Sequence, residues 1–225
     1  METSLGYILD ALPALFKGAL VTLQLTAVSV AFGSIGGIAL GIARLSKLWP
    51  LRLLARAYID FFRGTPLLVQ LFMIYFGGPA LLQSFGIEFS FNQWGAAVLG
   101  LALNSAAYLA EIVRAGIQSI EVGQKEASES LGLSSGQTMR YVVFPQALRR
   151  MVPPLGNEFI TLLKDTSLVA VIGYQELFRQ GQLVVARNFR SFEIFFAVAL
   201  VYLALNIIAS QAFSLLERKL DPKQA

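Results

Sequence analysis

Three polar side chains share one helical face inside one of the most apolar stretches of the chain. Asn104, Tyr108 and Glu111 follow one another at i, i+4 and i+7. Polar groups at membrane depth usually face the bundle interior or a water-filled path, so this face could hold the ammonium group of a small molecule. A pair between Glu111 and Arg114 at i, i+3 is an equally open interpretation. Asn104 and Tyr108 could instead bond neighbouring helices.

A second polar cluster follows later in the chain and offers both signs of charge. Glu158, Thr161 and Asp165 share a face by their i, i+3 and i+7 spacing. Lys164 points about 100° away from Asp165 in a regular helix. A zwitterion needs a cation for its carboxylate and an anion for its ammonium group, and the two clusters together supply both. Internal ion pairs of these carboxylates with Lys164 or Arg114 are the competing interpretation.

The residue types present do not favour covalent catalysis. The sequence has no Cys and no His, which excludes disulfides, Cys/His metal sites and a Ser-His-Asp triad. It contains no Gly-x-x-x-x-Gly-Lys-Ser/Thr run with which to hold a nucleotide. We therefore expect no enzyme, no cofactor and no metal in this chain. The net charge of +4 comes from short basic loops beside apolar runs, which membrane topology explains better than nucleic-acid binding.

The elements that must position these side chains are membrane helices. The 225 residues are 56% hydrophobic and 14% charged, a balance unsuited to a water-soluble domain. A spanning helix needs roughly 20 mainly apolar residues. Four windows contain no charge, namely Gly18–Ala43, Gly64–Ile87, Phe89–Ala110 and Ile194–Leu216. The weaker window Pro153–Gly173 completes the prediction, which is an all-α membrane protein with about five transmembrane helices.

Lys and Arg residues cluster after the first, third and fifth predicted spans, which predicts that these segments are cytoplasmic. The cytoplasmic set is Arg44, Lys47, Arg52, Arg56, Lys125, Arg140, Arg149, Arg150, Arg218, Lys219 and Lys223. The opposite side has the smaller set Lys17, Arg179, Arg187 and Arg190. The amino terminus is therefore predicted outside and the carboxyl terminus inside. We expect a single domain over 1–225, with an external or interfacial segment at 1–17, a cytoplasmic loop at 121–150 and an external loop at 174–193.

Small residues and a proline predict local features of the first two spans. Gly33, Gly37 and Gly41 recur every fourth residue, which favours close packing with another helix. Pro66 predicts a break at the start of the second span, because proline removes a helical hydrogen bond and disfavours helical geometry at the preceding residue. Just before the break, Arg63 is expected to face lipid phosphate or to pair with Asp60, and direct contact with a substrate is the alternative.

The polar stretch EASESLGLSSGQTMRYVVFP, residues 126–145, predicts two short helices joined by a turn at Gly132. Ser134 or Ser135 would cap the second helix, which runs toward Pro145. The stretch resembles the cytoplasmic loop of ATP-binding-cassette importer permeases, whose pattern is Glu-Ala-Ala, three residues, Gly, nine residues and Ile-x-Leu-Pro. Here Ser128 replaces the second Ala, and Val142 and Phe144 replace the final apolar pair.

Two further segments are similar to amino-acid permeases of that transporter family. They are FRGTPLLVQ, which ends at Gln70, and the NEF…LLKDTSL stretch that begins at Asn157. The resemblance implies a bacterial inner-membrane permease that moves polar amino acids by alternating access. Its expected partners are a second permease subunit, two ATPase subunits that bind ATP and Mg²⁺, an external substrate-binding protein, the amino acid and the lipid bilayer.

The resemblance also assigns expected roles to particular residues. The candidate substrate-binding set is Gln70, Asn104, Tyr108, Glu111, Glu158, Thr161, Lys164 and Asp165. The candidate ATPase-coupling set is Glu126, Ala127, Leu131, Gly132, Leu133, Met139, Arg140 and Pro145. The alternative is a secondary transporter driven by an ion gradient, which Glu111, Glu158 and Asp165 could serve as proton or sodium sites. Such a carrier would not need the Glu126 loop.

Overall fold

The computed structural model describes residues 4–220, and they form helices joined by short connections. Lys223, which contributed to the predicted orientation, lies outside the described residues. The helices in chain order are α1 (Ser4–Arg44), α2 (Trp49–Gly64), α3 (Leu67–Phe72), α4 (Gly78–Ser84), α5 (Gln93–Gln118), α6 (Val122–Ser130), α7 (Ser135–Thr138), α8 (Phe144–Asp165), α9 (Leu177–Asn188) and α10 (Ser191–Leu220). π-helical turns at Met73–Gly77 and Met139–Val143 precede α4 and α8, and a 3₁₀ segment, Thr166–Ile172, follows α8.

Four helical stretches of the described chain are long and apolar enough to cross a membrane. They are Ser4–Arg44, Leu67–Ser84, Gln93–Gln118 and Ser191–Lys219. The all-α expectation is confirmed, and each of the four uncharged windows lies largely within one of these stretches. The window Pro153–Gly173, which carries Glu158, Lys164 and Asp165, is not among these four stretches. Its crossing stays a prediction. The first helix begins at Ser4 and continues through Pro13, well before the predicted window.

Close packing of α1 against α5 organises the bundle. The three glycines at four-residue spacing in α1 face side chains at the same spacing in α5. A Cβ atom added at Gly33 would lie 3.0 Å from Ser105 Cβ, at Gly37 2.6 Å from Leu109 Cβ, and at Gly41 2.9 Å from Val113 Cβ. Both sets advance together, so α1 and α5 run in the same direction. The glycine face is therefore an intramolecular packing seam, where the absence of side chains lets two backbones approach.

The segment formed by α8 and the 3₁₀ turn runs antiparallel to α5. Near one end of the bundle, Gly116 of α5 lies so close to Met151 of α8 that an added Cβ would meet the Met151 Cγ at 2.3 Å. Near the other end, Leu101 of α5 and Leu162 of α8 belong to the same buried cluster. Leu101 precedes Gly116 while Leu162 follows Met151, so the two helices point in opposite directions through the same core.

The last helix, α10, starts at the same end of the bundle as α1. Leu15 of α1 and Ile194 and Val198 of α10 are buried in one cluster with Leu177 of α9. A Cβ added at Gly18 of α1 would lie 2.7 Å from the Leu177 Cα. The helices α1, α5 and α10 therefore share a direction. This places the ends of the described chain at opposite sides of the bundle.

The seam predicts a graded response to a single added methyl group in α1. Gly37→Ala forces a contact with Leu109 Cβ, whereas Gly36→Ala meets only Ala106 Cβ at 3.2 Å. Overpacking of this kind costs about 1–3 kcal/mol. We expect Gly37→Ala to lower the melting temperature of the detergent-purified protein clearly more than Gly36→Ala does. Equal melting temperatures for these neighbouring variants would contradict the close contact between α1 and α5.

Candidate functional site

The predicted break between α2 and α3 is confirmed, and buried amide groups hold it. Thr65 has extended backbone angles, φ −121° and ψ 146°, between the two helices. The Gln70 Nε2 donates to the carbonyl oxygens of Phe62 at 2.9 Å and Thr65 at 3.0 Å. The Asn104 Nδ2 of α5 donates to the Gln70 Oε1 at 3.0 Å. These contacts satisfy carbonyl groups that the break leaves without helical partners, as an apolar surrounding requires.

The candidate residues Gln70 and Asn104 are consequently committed to the backbone. Gln70 is 3% exposed and Asn104 is 6% exposed, and neither lines a pocket described below. We call this pair the amide clasp. It joins α2, α3 and α5 in a single hydrogen-bonded unit. Direct contact of either amide with a substrate stays a prediction.

Three other candidates meet in one pocket of about 470 Å³ between α5 and α8. We call it the Glu158 pocket. Tyr108 and Glu111 contribute from α5 and Glu158 from α8, and Arg63 enters from the end of α2. The Arg63 guanidinium lies 5.3 Å from the centre of the Tyr108 ring, a cation–π contact that orients both groups. The pocket therefore presents both signs of charge within a mostly apolar chain.

The expected pair between Arg63 and Asp60 is wrong. Asp60 instead pairs with Arg56 one helical turn earlier, with 3.3 Å between Nε and Oδ2. This exposed pair leaves Arg63 to turn toward α5. The contact of Arg63 with Tyr108 was not predicted, because sequence spacing within α2 contains no information about a tyrosine in another helix. The position of Arg63 just before the break at Pro66 was the sequence feature that could have indicated a contact with another helix.

Of the two interpretations of Glu111, a substrate contact and an ion pair with Arg114, the structure shows the ion pair. The Arg114 Nε donates to the Glu111 Oε2 at 2.9 Å, and its Nη2 contacts the other carboxylate oxygen. Both side chains are about three-quarters covered. Glu158 makes no ion pair with a described residue, so it is the carboxylate of the pocket that remains available to a ligand. A substrate contact by Glu111 stays a prediction.

Lys164 lies in a separate pocket of about 500 Å³ between α8, α9 and α10. Its neighbours there include Ser167, Phe178 and Tyr202. Thr161 and Asp165 are half-buried and line neither of these two pockets. The eight candidates are thus divided among the amide clasp, the Glu158 pocket, the Lys164 pocket and the adjoining face of α8. One subunit does not bring Lys164 and Glu158 into a common cavity.

A buried carboxylate that sequence spacing did not single out connects three helices beside the Lys164 pocket. Glu176 is fully buried and caps α9 by accepting from the backbone N–H groups of Phe178 at 2.8 Å and Arg179 at 2.7 Å. The Tyr202 hydroxyl of α10 donates to the same carboxylate at 2.7 Å. The Thr22 hydroxyl of α1 accepts from the Leu177 N–H at 3.2 Å. This arrangement fixes α9 on α1 and α10.

The loop between α5 and α8 has the predicted pair of helices. α6 ends at Ser130, and Gly132 adopts φ +85°, a left-handed conformation that favours glycine. Ser134 is the cap of α7 and forms a capping box with Gln137. The Ser128 hydroxyl lies 3.0 Å from the Thr138 hydroxyl, and both side chains are buried between the two helices. The two helices are therefore held at a defined angle.

Pro145 does not end the second helix of the loop. The π-helical turn at Met139–Val143 leads directly into α8, where Pro145 occupies the first turn. Because the residues before it are already helical, Pro145 removes one backbone hydrogen bond from this path, and the irregular π-helical turn lies directly before it. α7, the π-helical turn and α8 consequently form one continuous helical path, which extends to Glu158 in the wall of the Glu158 pocket.

The loop exposes most of the residues expected to bind a partner. Leu131 is 83% exposed at the tip, and Met139 is 38% exposed. Leu133 is half-buried. The remaining candidates Glu126, Ala127, Gly132, Arg140 and Pro145 are exposed. Most of this set is therefore accessible to a partner, and its role in coupling stays a prediction.

Residues 29–222 match the family described as "Binding-protein-dependent transport system inner membrane component". The chain is similar to the glutamine transport system permease protein GlnP of Escherichia coli (strain K12), with 43% identity over 220 residues, 98% of this chain and 99% of the relative. It is 39% identical to the L-cystine transport system permease protein TcyL of Bacillus subtilis (strain 168) over 216 residues, which cover 96% of this chain and 90% of the relative. A solved structure described as an amino acid ABC transporter with histidines has a TM-score of 0.86 and 41% identity, over 94% of this chain and 96% of that one.

The amide clasp predicts non-additive effects of substitution. Gln70→Met or Asn104→Leu alone leaves a buried partner unsatisfied, which costs about 1–3 kcal/mol. The double variant removes both partners, so we expect its melting temperature to fall by less than the sum of the single effects. Gln83→Met is the matched control because Gln83 is exposed. Additive losses in the double variant would contradict the coupling of these amides.

Proposed function

Because this chain belongs to the family of binding-protein-dependent transport system inner membrane components, we propose that it carries polar amino acids across the bacterial inner membrane as the permease subunit of an ATP-driven importer. Relatives named as glutamine and L-cystine permeases support the amino-acid class. The observation that carries the importer mechanism is the rigid, exposed loop of α6 and α7, which is continuous with α8. An ion-gradient carrier has no use for such a surface.

In this proposal the loop binds a separate ATPase subunit that supplies ATP hydrolysis and holds ATP and Mg²⁺. Leu131 and Met139 would enter an apolar groove on the ATPase, while Glu126 and Arg140 would contact its polar rim. The ATPase must be another chain because this sequence has no phosphate-binding loop. Closure of the ATPase pair on ATP would move the loop, and α8 would transmit that motion to the pocket.

We further propose that α8 and the 3₁₀ segment form the additional span, which gives about five crossings. Support comes from the antiparallel course of this segment beside α5 and from its buried residues Leu162 and Val169 in the central core. The basic loops then assign the α6 side to the cytoplasm. The segments 1–17 and 174–193 would face outward and 121–150 inward. The first segment would include the start of α1.

The proposed assembly contains two permease subunits, two ATPase subunits and an external binding protein. The family description supports the binding protein. A second permease is supported by the open sides of the Glu158 and Lys164 pockets, which a single bundle does not enclose. Two bundles packed side by side would bring the pockets of separate subunits to one central path. A second bundle is needed because about five helices are too few to surround a solute alone.

We assign the first substrate contacts of this path to the Glu158 pocket. Arg63 offers a guanidinium to the substrate carboxylate, and Glu158 offers a carboxylate to its ammonium group. Tyr108 holds Arg63 in place through the ring contact. Thr161 and Asp165 would act further along the same face of α8, and Lys164 would act from the separate Lys164 pocket. The amide clasp keeps α2 and α5 at the separation that this geometry needs.

Gly132→Ala tests the coupling loop, with Gly136→Ala as its matched control. A left-handed conformation costs a residue other than glycine about 1–2 kcal/mol, and Gly132 has φ +85°. Gly136 lies in α7 with no atom within 4 Å of an added Cβ. We expect Gly132→Ala to reduce co-purification of the ATPase and amino-acid-stimulated ATP hydrolysis, and Gly136→Ala to leave both unchanged. Full retention of the ATPase by Gly132→Ala would reject the loop as the docking element.

Glu158→Gln tests the substrate pocket in proteoliposomes that contain the assembled importer. Loss of a charge-assisted hydrogen bond corresponds to about 1.5–3 kcal/mol, or roughly 10–100-fold in affinity. We expect a 10–100-fold loss of uptake efficiency with unchanged ATPase retention. Glu88→Gln, which alters an exposed carboxylate between α4 and α5, is the control. Normal uptake by Glu158→Gln would remove this pocket from the path.

A further inference from the structure

Besides the Glu158 and Lys164 pockets, a groove opens on the same side of the bundle as α6 and α7. This groove of about 780 Å³ is bounded by the last turns of α1, the second half of α5 and the beginning of α8. Its lining is almost wholly aliphatic and aromatic, with Ile38 and Ala39 from α1, Val113 from α5, and Phe144 and Met151 from α8 among its walls. We call it the coupling-side groove. It shares no lining residue with the Lys164 pocket.

The groove opens toward a surface that is suited to hydrocarbon. Along the adjoining face of α1, Ile35 is 70% exposed, Ile38 51% and Ile42 59%. These residues lie within a helix that is apolar and long enough to cross a membrane. Water in such an opening would find almost no hydrogen-bond partner, so an apolar occupant is favoured.

Basic residues lie next in sequence to several residues that line the groove. Four lining residues, Ser46, Leu51, Met139 and Leu148, are each followed in sequence by a cation. These cations are Lys47, Arg52, Arg140 and Arg149, all exposed. Arg140 is assigned above to the ATPase rim, so Lys47, Arg52 and Arg149 are the ones left for a ligand of the groove. None of them makes an ion pair within the described residues. Residues 44–59 and 130–157, which contain all four, include no Asp or Glu.

We propose that the coupling-side groove binds an anionic phospholipid, with an acyl chain between α1, α5 and α8 and the phosphate group at the basic rim. An apolar slot beneath a cluster of Lys and Arg matches both parts of such a molecule, and each basic residue near a charged membrane surface adds attraction. A zwitterionic lipid fills the slot equally well but gains less at the rim. The site does not depend on the importer assignment. It does place the lipid against Phe144 and Leu148, in the first turns of α8.

The test compares lipid retention by the full chain and by a groove-filling variant. The chain is extracted from membranes in detergent, equilibrated with equimolar palmitoyl-oleoyl phosphatidylglycerol and phosphatidylcholine, and repurified. The retained lipids are then quantified by mass spectrometry. We expect at least about fivefold preference for phosphatidylglycerol, which is the attraction of roughly one basic residue. Ala39→Phe should abolish the preference, whereas Ile35→Phe on the neighbouring exposed face should preserve it.

A pair of surface variants checks the rim without altering the packing of the groove. Lys47→Gln with Arg52→Gln should reduce the preference, and Arg187→Gln, at the far end of the bundle, should not. Equal retention of the two lipids by the unaltered chain would overturn the proposal, as would an unchanged preference in Ala39→Phe. A cysteine introduced as Ala39→Cys is the sole cysteine of the chain. Its disulfide cross-linking to a second copy in membranes would identify the groove as a subunit interface and would also overturn the lipid site.

Discussion

The close contact of α1 with α5 is the constraint on which the remaining geometry depends. Because Gly33, Gly37 and Gly41 have no side chain, the backbone of α1 lies so close to α5 that an added Cβ atom at any of them would contact α5. In hydrocarbon, burial of apolar surface gives little net gain between helices, so tight van der Waals packing must supply the attraction. α5 then carries Asn104 to the amide clasp and Tyr108 to the Glu158 pocket, and it leads into the coupling loop.

Some polar groups within this bundle stabilise its structure, and others remain available to a ligand. Gln70 and Asn104 satisfy the broken backbone at Thr65, and Glu176 satisfies the first turn of α9. Glu111 is neutralised by Arg114. Without these partners each buried group would cost several kcal/mol at membrane depth. Arg63, Glu158, Lys164 and Asp165 make no ion pair within the described residues, and they are the charged groups that we assign to the proposed solute path.

The continuity of α7, the π-helical turn and α8 connects the two functional regions mechanically. A loop attached by a flexible linker would absorb the motion of a partner. Here the Ser128–Thr138 contact fixes α6 to α7, and the helical path continues from Met139 to Asp165. The coupling-side groove lies beside this path, so an occupant of the groove would share packing surface with the moving element. A membrane component could in this way influence coupling without touching substrate.

The sequence by itself determined the helical class, the four helical stretches that are long and apolar enough to cross a membrane, the break at Pro66 and the turn at Gly132. These features follow from local hydropathy and backbone preferences. It also identified the family, through the spacing of the Glu126 loop. Tertiary structure decided which polar residues meet. Asn104 and Tyr108 share a helical face, yet one closes a backbone break while the other orients Arg63. Spacing along one helix places side chains on a face, whereas their partners come from other helices, whose register is set by packing such as the glycine seam.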